Sequence, residues 1–216
     1  MWNSDPYPYR KRWGKMKTKT RSFEFYSETL KEALEKHAEK HGVTVDEVMK
    51  ATNYLARGEM AFIPHYEEPF ILGDEKDYPF IHVDHKSRLN REGRSANCPW
   101  YYDFKDLDPG DEMWDDVAKI NPLDARKLGI KSGDRVKLSS PTGSLVCTAK
   151  LWEGVRPGTV AKCYGQGHWA YGRLAAKNFG KEPRGGSSND IIPAQYEALS
   201  GSSAYYGVTR IKVEKV

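Results

Sequence analysis

Between Val117 and Tyr164 the chain alternates short, patterned apolar runs with turn residues so densely that only one short helix fits among them. VAKI reads as a short strand, Asn121-Pro122 as a turn, and Leu123–Leu128 as a helix stopped by Gly129. GDRVKLSS alternates Val136 and Leu138 with polar neighbours. PTG turns the chain into SLVCTAKLW, which sets Leu145, Cys147, Ala149 and Leu151 on one side. Pro157-Gly158 turns it again into TVAKCY. Near the end, YYGVTRIKVEKV carries Val208, Ile211, Val213 and Val216, and Ile211 and Val213 keep a period of two. Many short strands with Pro/Gly turns and one short helix predict a mainly β fold with α additions, closed as a small barrel rather than a βαβ sheet.

The rest of the chain is organised differently. Residues 1–26 read as an irregular arm rich in Pro, Tyr, Lys and Thr. SETLKEALEKHAEKHG has helical spacing, with Leu30, Ala33, Leu34, His37 and Ala38 on one face and Gly42 as the stop. Thr44 and Glu47 have capping-box spacing for a second helix, which Gly58 is expected to end. Residues 59–77 look like a connection, and YPFIHV at 78–83 like a strand. The expected division is 1–77, arm and helical hairpin, and 78–216, barrel domain. The polar stretch from Asp84 to Asp116 is too long for an ordinary connector and reads as a functional loop.

The segment CYGQGHWAYGR, from Cys163 to Arg173, follows a strand. Gly165 and Gly167 permit positive φ and close backbone approach. His168, Trp169 and Arg173 offer a donor, a flat face and a cation. An anionic ligand with a flat ring system suits that set; a turn whose Trp169 and Tyr171 pack back on the barrel suits it too.

Composition excludes several classes. No run reaches the roughly 18 apolar residues of a membrane span, and MWNSDPYPYR lacks the apolar stretch of a signal peptide. On these grounds the chain is expected to be cytoplasmic unless exported with a partner. Cys98, Cys147 and Cys163 have neither CxxC nor iron–sulfur spacing, and each reads as a small buried or half-buried residue. Arg10–Arg21 holds seven Lys or Arg and no acid, yet the net charge is only +4. That segment suits an anionic surface, a partner protein or a solvated arm. The small net charge and the lack of a single-strand-binding motif argue against nucleic acid. No nucleophile elbow or metal-ligand spacing supports a hydrolase. The acidic run FKDLDPGDEMWDD fits no calcium loop and reads as a solvated loop.

In order along the chain stand Asn121-Pro122 with Asp124-Ala125, Leu128-Gly129-Ile130, Gly133-Asp134-x-Val136, Ser140-x-x-Gly143 and Pro157-Gly158. YGQGHWAYGR, Ser188-Asn189-Asp190 and LSGSSAYYGVTRIKV follow them. This succession resembles the C-terminal molybdopterin-dinucleotide-binding domain of the dimethyl-sulfoxide-reductase superfamily. KTKTRSFEFYSETL is similar to the stretch that leads into that domain. Lys86-Ser87 and Arg94-Ser95-x-Asn97-x-Pro99-Trp100 resemble its first loop, in wording nearest the polysulfide and thiosulfate reductase branch.

The resemblance implies a double-psi-like six-stranded β-barrel preceded by a helical segment. It implies bis(molybdopterin guanine dinucleotide), carrying molybdenum or tungsten, as a cofactor held only in the complete enzyme. Implied contacts are Ser87, Arg94 and Asn97 in the first loop, then Gly167, His168 and Trp169, and late in the chain Asn189. Asn121 would meet a nucleotide edge or hold its own turn; His168 would donate to a cofactor oxygen or satisfy a buried carbonyl. Arg94 suits pyrophosphate through its fixed fork of donors. No residue of this chain takes the family's metal-ligand position, so no catalytic or metal-binding residue is assigned. The implied partner is a larger catalytic polypeptide bearing the metal ligand and an iron–sulfur cluster, with no nucleic acid and no membrane span of this chain's own. The competing expectation is a stand-alone barrel that binds a ligand or inserts cofactor without redox activity.

Overall fold

The computed structural model describes residues 16–86, 93, 97–99, 117–168, 176–177, 182–183, 185–196, 199, 201–202 and 209–216. The chain divides into two compact units, residues 1–68 with 197–201, and residues 69–196 with 202–216.

The first unit is helical. Helix α1 spans Glu28–His41; Ser27 caps it by accepting from Leu30 N–H at 3.2 Å. Gly42 ends it at φ 66, with Val43 N–H bonded back to Ala38 O. Leu34 and Ala38 are buried, but Ala33 and His37 of the expected stripe are exposed. Helix α2, Val45–Ala51, begins with the predicted capping box of Thr44 and Glu47. It ends seven residues before Gly58. Asn53 takes the left-handed turn at φ 57, while Asn53 N–H bonds Lys50 O and Tyr54 N–H bonds Met49 O. Asn is the residue after Gly best suited to that cap, so the helix stops there. Gly58 instead starts a 3-10 turn, Gly58–Phe62. Leu34, Met49, Ala61 and Phe62 form this unit's core.

Beside that core, His65 Nδ1 lies 2.7 Å from Ile63 O and Nε2 lies 2.8 Å from a Glu67 carboxylate oxygen. Two acceptors favour the doubly protonated ring. The Glu67 hydrogen bond, then the Ile63 carbonyl, raise the imidazole above its ordinary value. Its stabilising contribution is therefore full below about pH 6.5, the ordinary value, and fades as pH rises through the raised one. NMR titration of the His65 ring should show the upward shift, and Glu67→Gln should remove most of it.

The second unit is a closed six-stranded barrel. Its strands are β1 (Phe80–His85), β2 (Val117–Ile120), β3 (Arg135–Ser139), β4 (Ser144–Leu151), β5 (Thr159–Cys163) and β8 (Arg210–Lys215), in spatial order β1-β5-β2-β4-β3-β8. β1 and β5 are parallel, as are β2 and β4; the other four pairs are antiparallel. Helix α3, Pro122–Leu128, leaves β2, and a two-stranded ribbon joins β6 (Ala176–Lys177) to β7 (Glu182–Pro183). Period-two alternation fills the interior: Val136 and Leu138 from β3, Leu145, Cys147 and Ala149 from β4, Ile211 and Val213 from β8. Cys147 and Cys163 are buried, Cys98 is half-buried, and none forms a disulfide.

Several motif residues are turn builders. Asp134 accepts from Lys131 N–H at 2.8 Å and from Lys215 Nζ at 2.7 Å. Ser140 Oγ donates to Ile191 O at 2.7 Å and accepts from the Thr142 and Gly143 amides. Buried Asp124 accepts from Gly158 N–H at 2.7 Å, tying α3 to the Pro157-Gly158 turn. No helix among the described residues is long and apolar enough to cross a membrane.

Candidate functional site

The barrel interior is apolar at one end and polar at the other. Along β1, inward Phe80 gives way to His82 and Asp84; along β5, Val160 gives way to Lys162. Register sets His82 beside Val160 and Asp84 beside Lys162. His82 Nε2 lies 3.4 Å from Asp84 Oδ1, and both side chains are at least 97% buried. This polar end is where β1 and β5 both terminate and their loops leave.

Three segments meet at that end. Tyr164 N–H bonds His85 O at 3.1 Å, so the loop after β5 starts against the end of β1. Gly167 has φ 82, and a Cβ there would overlap the Ser187 nitrogen and lie 2.7 Å from the Gly186 carbonyl carbon. Its close approach is thus to backbone of this chain. Gly93, at φ 74, packs on the same loop: a Cβ would lie 3.1 Å from Gly165 O and 3.5 Å from His168 Cε1. Gly186 in turn rests on Leu145, which anchors the contact to the barrel core.

One residue to either side of the Gly167–Ser187 contact sits a buried polar group with no partner among the described residues. Gln166 is 6% exposed, and its Nε2 makes no hydrogen bond there; Ser188 is 2% exposed, and its Oγ makes none. Such groups cost about 1–3 kcal/mol each unless something completes them. Both are donors, and both are held by backbone that cannot shift without unpacking the Gly167–Ser187 contact.

The predicted site residues are distributed unevenly around this cluster. Gly167 and His168 lie in it. Asn189 adjoins it, exposed in the 3-10 turn Ser188–Asp190 that Ser187 caps. His168 Nε2 donates to Gly165 O at 2.9 Å, so that ring nitrogen serves a carbonyl of its own loop. Asn97 is exposed. Ser87, Arg94 and Trp169 lie outside the described residues.

Asn121 is placed elsewhere. It follows Ile120, whose partner Val160 is near the start of β5, whereas the 164–168 loop follows its end. Strand length separates the two by about 13 Å. There Asn121 holds its own turn: Oδ1 accepts from Leu123 N–H at 2.9 Å, and Nδ2 donates to Val155 O at 2.7 Å. Asn121→Ala should remove a cap and leave a carbonyl short of its donor. A loss of about 2 kcal/mol is expected in urea unfolding.

Gln166, Ser188, His82, Asp84 and Lys162 were not assigned to a site from sequence, although Gln166 and Ser188 stand inside the quoted motifs. The strand alternation that buries Val83's neighbours offered a signal for His82 and Asp84. For Gln166 and Ser188 the only signal was position beside the glycines and Asn189. Among the described residues no group of three or more His, Cys, Asp or Glu could hold a metal ion.

Residues 105–209 match the family described as "Molydopterin dinucleotide binding domain". The chain is 63% identical over its whole length to ArrA, the molybdopterin-containing subunit of the arsenate respiratory reductase of Shewanella sp. (strain ANA-3), and covers 25% of it. It is 59% identical over 99% of its length to the corresponding protein of Chrysiogenes arsenatis, covering 26%. It matches a tetrathionate reductase polypeptide of Archaeoglobus fulgidus at 42% identity over 44% of its length, or 8% of that protein. The chain thus spans about a quarter of the two arsenate-reductase relatives. Acetylene hydratase from Pelobacter acetylenicus superposes over 74% of this chain and 22% of its own, with TM-score 0.51 and 20% identity, a likeness of fold.

Proposed function

Since this chain belongs, through residues 105–209, to the molybdopterin dinucleotide-binding domains of molybdenum oxidoreductases, we propose that the polar end of its barrel holds the dinucleotide for a larger catalytic polypeptide. The cofactor of such enzymes is bis(molybdopterin guanine dinucleotide) with molybdenum or tungsten. The observation that carries the proposal is the pair of buried, unpartnered donors, Gln166 Nε2 and Ser188 Oγ, beside a glycine-only backbone contact. Pterin and guanine edges and a pyrophosphate are rich in acceptors, so the donor set fits.

In this reading Gln166 and Ser188 donate to the group's edge oxygens or nitrogens. Gly93, Gly165 and Gly167 keep the loop backbone close-packed, so the donors need not reorganise. His168 stiffens the loop through Gly165 O. The family resemblance assigns further contacts to Asn189, Asn97, Ser87, Arg94 and Trp169, with Arg94 on phosphate. When bound, the group supplies the redox chemistry at its metal, and this chain supplies orientation and exclusion of water. Residues 1–77 serve as the segment joining the barrel domain to the larger polypeptide, which carries the metal ligand and an iron–sulfur cluster.

The substrate of the complete enzyme is arsenate. Supporting this, the two arsenate reductase relatives are 63% and 59% identical over essentially all of the chain, while the tetrathionate reductase match covers 44% of it. The test is purification of the complete protein from its host, with metal analysis and release of GMP by acid hydrolysis. Molybdenum or tungsten with guanine nucleotide, and arsenate reduction with a reduced dye, are expected. Material with neither metal nor nucleotide would overturn the cofactor reading. Cofactor without arsenate reduction would overturn the substrate alone.

A further inference from the structure

The helical unit carries a pair of side chains that the dinucleotide reading leaves unused. His37 and His41 stand four residues apart on α1, and both are exposed; the other four of the chain's six histidines are buried or half-buried. Residues at that spacing lie one turn apart on the same helix face. Leu34 and Ala38 take the core side of α1, which leaves 37 and 41 on the solvent side.

The turn that presents His41 is closed rather than frayed. Gly42 caps it at φ 66, with Gly42 N–H bonded to Glu39 O at 3.2 Å and Val43 N–H to Ala38 O at 3.0 Å. Among the described residues the two rings touch each other, and neither makes a hydrogen bond or an ion pair. His65 is the contrast, since both of its ring nitrogens have partners.

The geometry of the pair suits chelation. The ring centroids are 4.4 Å apart and the planes meet at 40°, so the rings are not stacked face to face. Two imidazoles that bind one ion at about 2.0–2.1 Å, with their bonds meeting at about 90–110°, have centroids about 4.5–5 Å apart. The two rings thus stand close to the chelating separation with the helix as it is. Imidazole nitrogens suit the borderline divalent ions of zinc, nickel and copper. The carbonyl end of a helix favours a cation, and His41 lies in the last turn. Lys36 and Lys40 stand on the same two turns as Glu35 and Glu39, so their formal charges balance.

We propose that His37 and His41 form a site for a borderline divalent transition-metal ion such as Zn2+. The two imidazoles are its protein ligands, and water fills the remaining positions. Two protein ligands make the site open and exchangeable, unlike a closed four-ligand structural centre. It does not depend on the dinucleotide reading, because its residues all lie on α1.

The test is an NMR titration of the full chain, carrying no polyhistidine tag, with ZnCl2. Saturable shifts are expected at the ring protons of His37 and His41, complete below millimolar zinc. Mg2+, which prefers oxygen ligands, should shift neither ring. His41→Gln keeps a good helix former and should weaken zinc binding about tenfold or more. His65→Gln and Glu39→Gln should leave it unchanged. Circular dichroism shows that each variant keeps its helix. Shifts that fail to saturate, that centre on other residues, or that survive His41→Gln would overturn the proposal. Loss of binding in Glu39→Gln equal to that in His41→Gln would overturn the two-imidazole ligand set.

Discussion

Gly167→Ala is expected to abolish retention of the dinucleotide while leaving the barrel folded. The residue sits at φ 82, where an L side chain costs about 1–2 kcal/mol. The larger penalty is steric. The new Cβ would overlap the Ser187 nitrogen and lie 2.7 Å from the Gly186 carbonyl carbon, and neither is the end of a flexible side chain that can swing away. Overpacking of this kind costs about 1–3 kcal/mol. Relief requires the 186–188 segment to withdraw from the loop, which would separate Ser188 from Gln166. A shift worth about 3 kcal/mol corresponds to roughly a hundredfold in retention. Gly158→Ala is the control: its φ is 81, but nothing lies within 4 Å of the added methyl, so only the conformational part applies. The measurement is nucleotide content per protein for both variants. Equal content in the two would remove the role assigned to the Gly167–Ser187 contact.

Leu138→Ala is expected to cost the barrel about 2–5 kcal/mol, a large part of a typical domain's 5–15. Leu138 is fully buried and stands at the centre of three strands, in register with Leu145 on β4 and Val213 on β8. Truncation leaves a cavity whose walls belong to a closed sheet. Such a sheet cannot collapse inward without breaking ladder hydrogen bonds, so the value should fall high in that range. Leu123→Ala, on the half-exposed side of α3, should stay within about 0.5 kcal/mol. Urea unfolding followed by circular dichroism gives both values. A Leu138→Ala loss below about 1 kcal/mol would contradict a closed barrel with this register.

Sequence legibility varied with the range of the physics involved. Strands β3, β4, β5 and β8 were visible because inward and outward residues alternate within a few positions. Helix α3 was visible because Asn121, Pro122 and Gly129 punctuate it, and each does so by a local hydrogen bond or dihedral. The end of α2 was misplaced because two residues could terminate it. Gly58 is the stronger stop in general, but Asn53 comes first and its left-handed turn closes the helix with two backbone bonds. In the candidate site, the positive φ and close backbone approach at Gly167 were legible from composition, whereas the burial of Gln166 and Ser188 was not. Glutamine and serine are ordinary loop residues, and only burial without a partner makes these two informative.

What the sequence determined by itself is therefore the set of local elements, their caps and turns, and the family to which their order belongs. Tertiary structure decided which ends of those elements meet. It closed β8 onto β1, ran β1 parallel to β5, and so gathered the loops after both at one polar end. It sent Asn121 to the opposite end of β5, where the amide is committed to a turn. It also buried Lys119 on an outer strand face behind an indole that only Gly154 admits. Periodicity and capping act over a few residues and are written in neighbouring side chains. Pairing, burial and the loss of a hydrogen-bond partner depend on segments tens of residues apart, and they exist only once the barrel is closed.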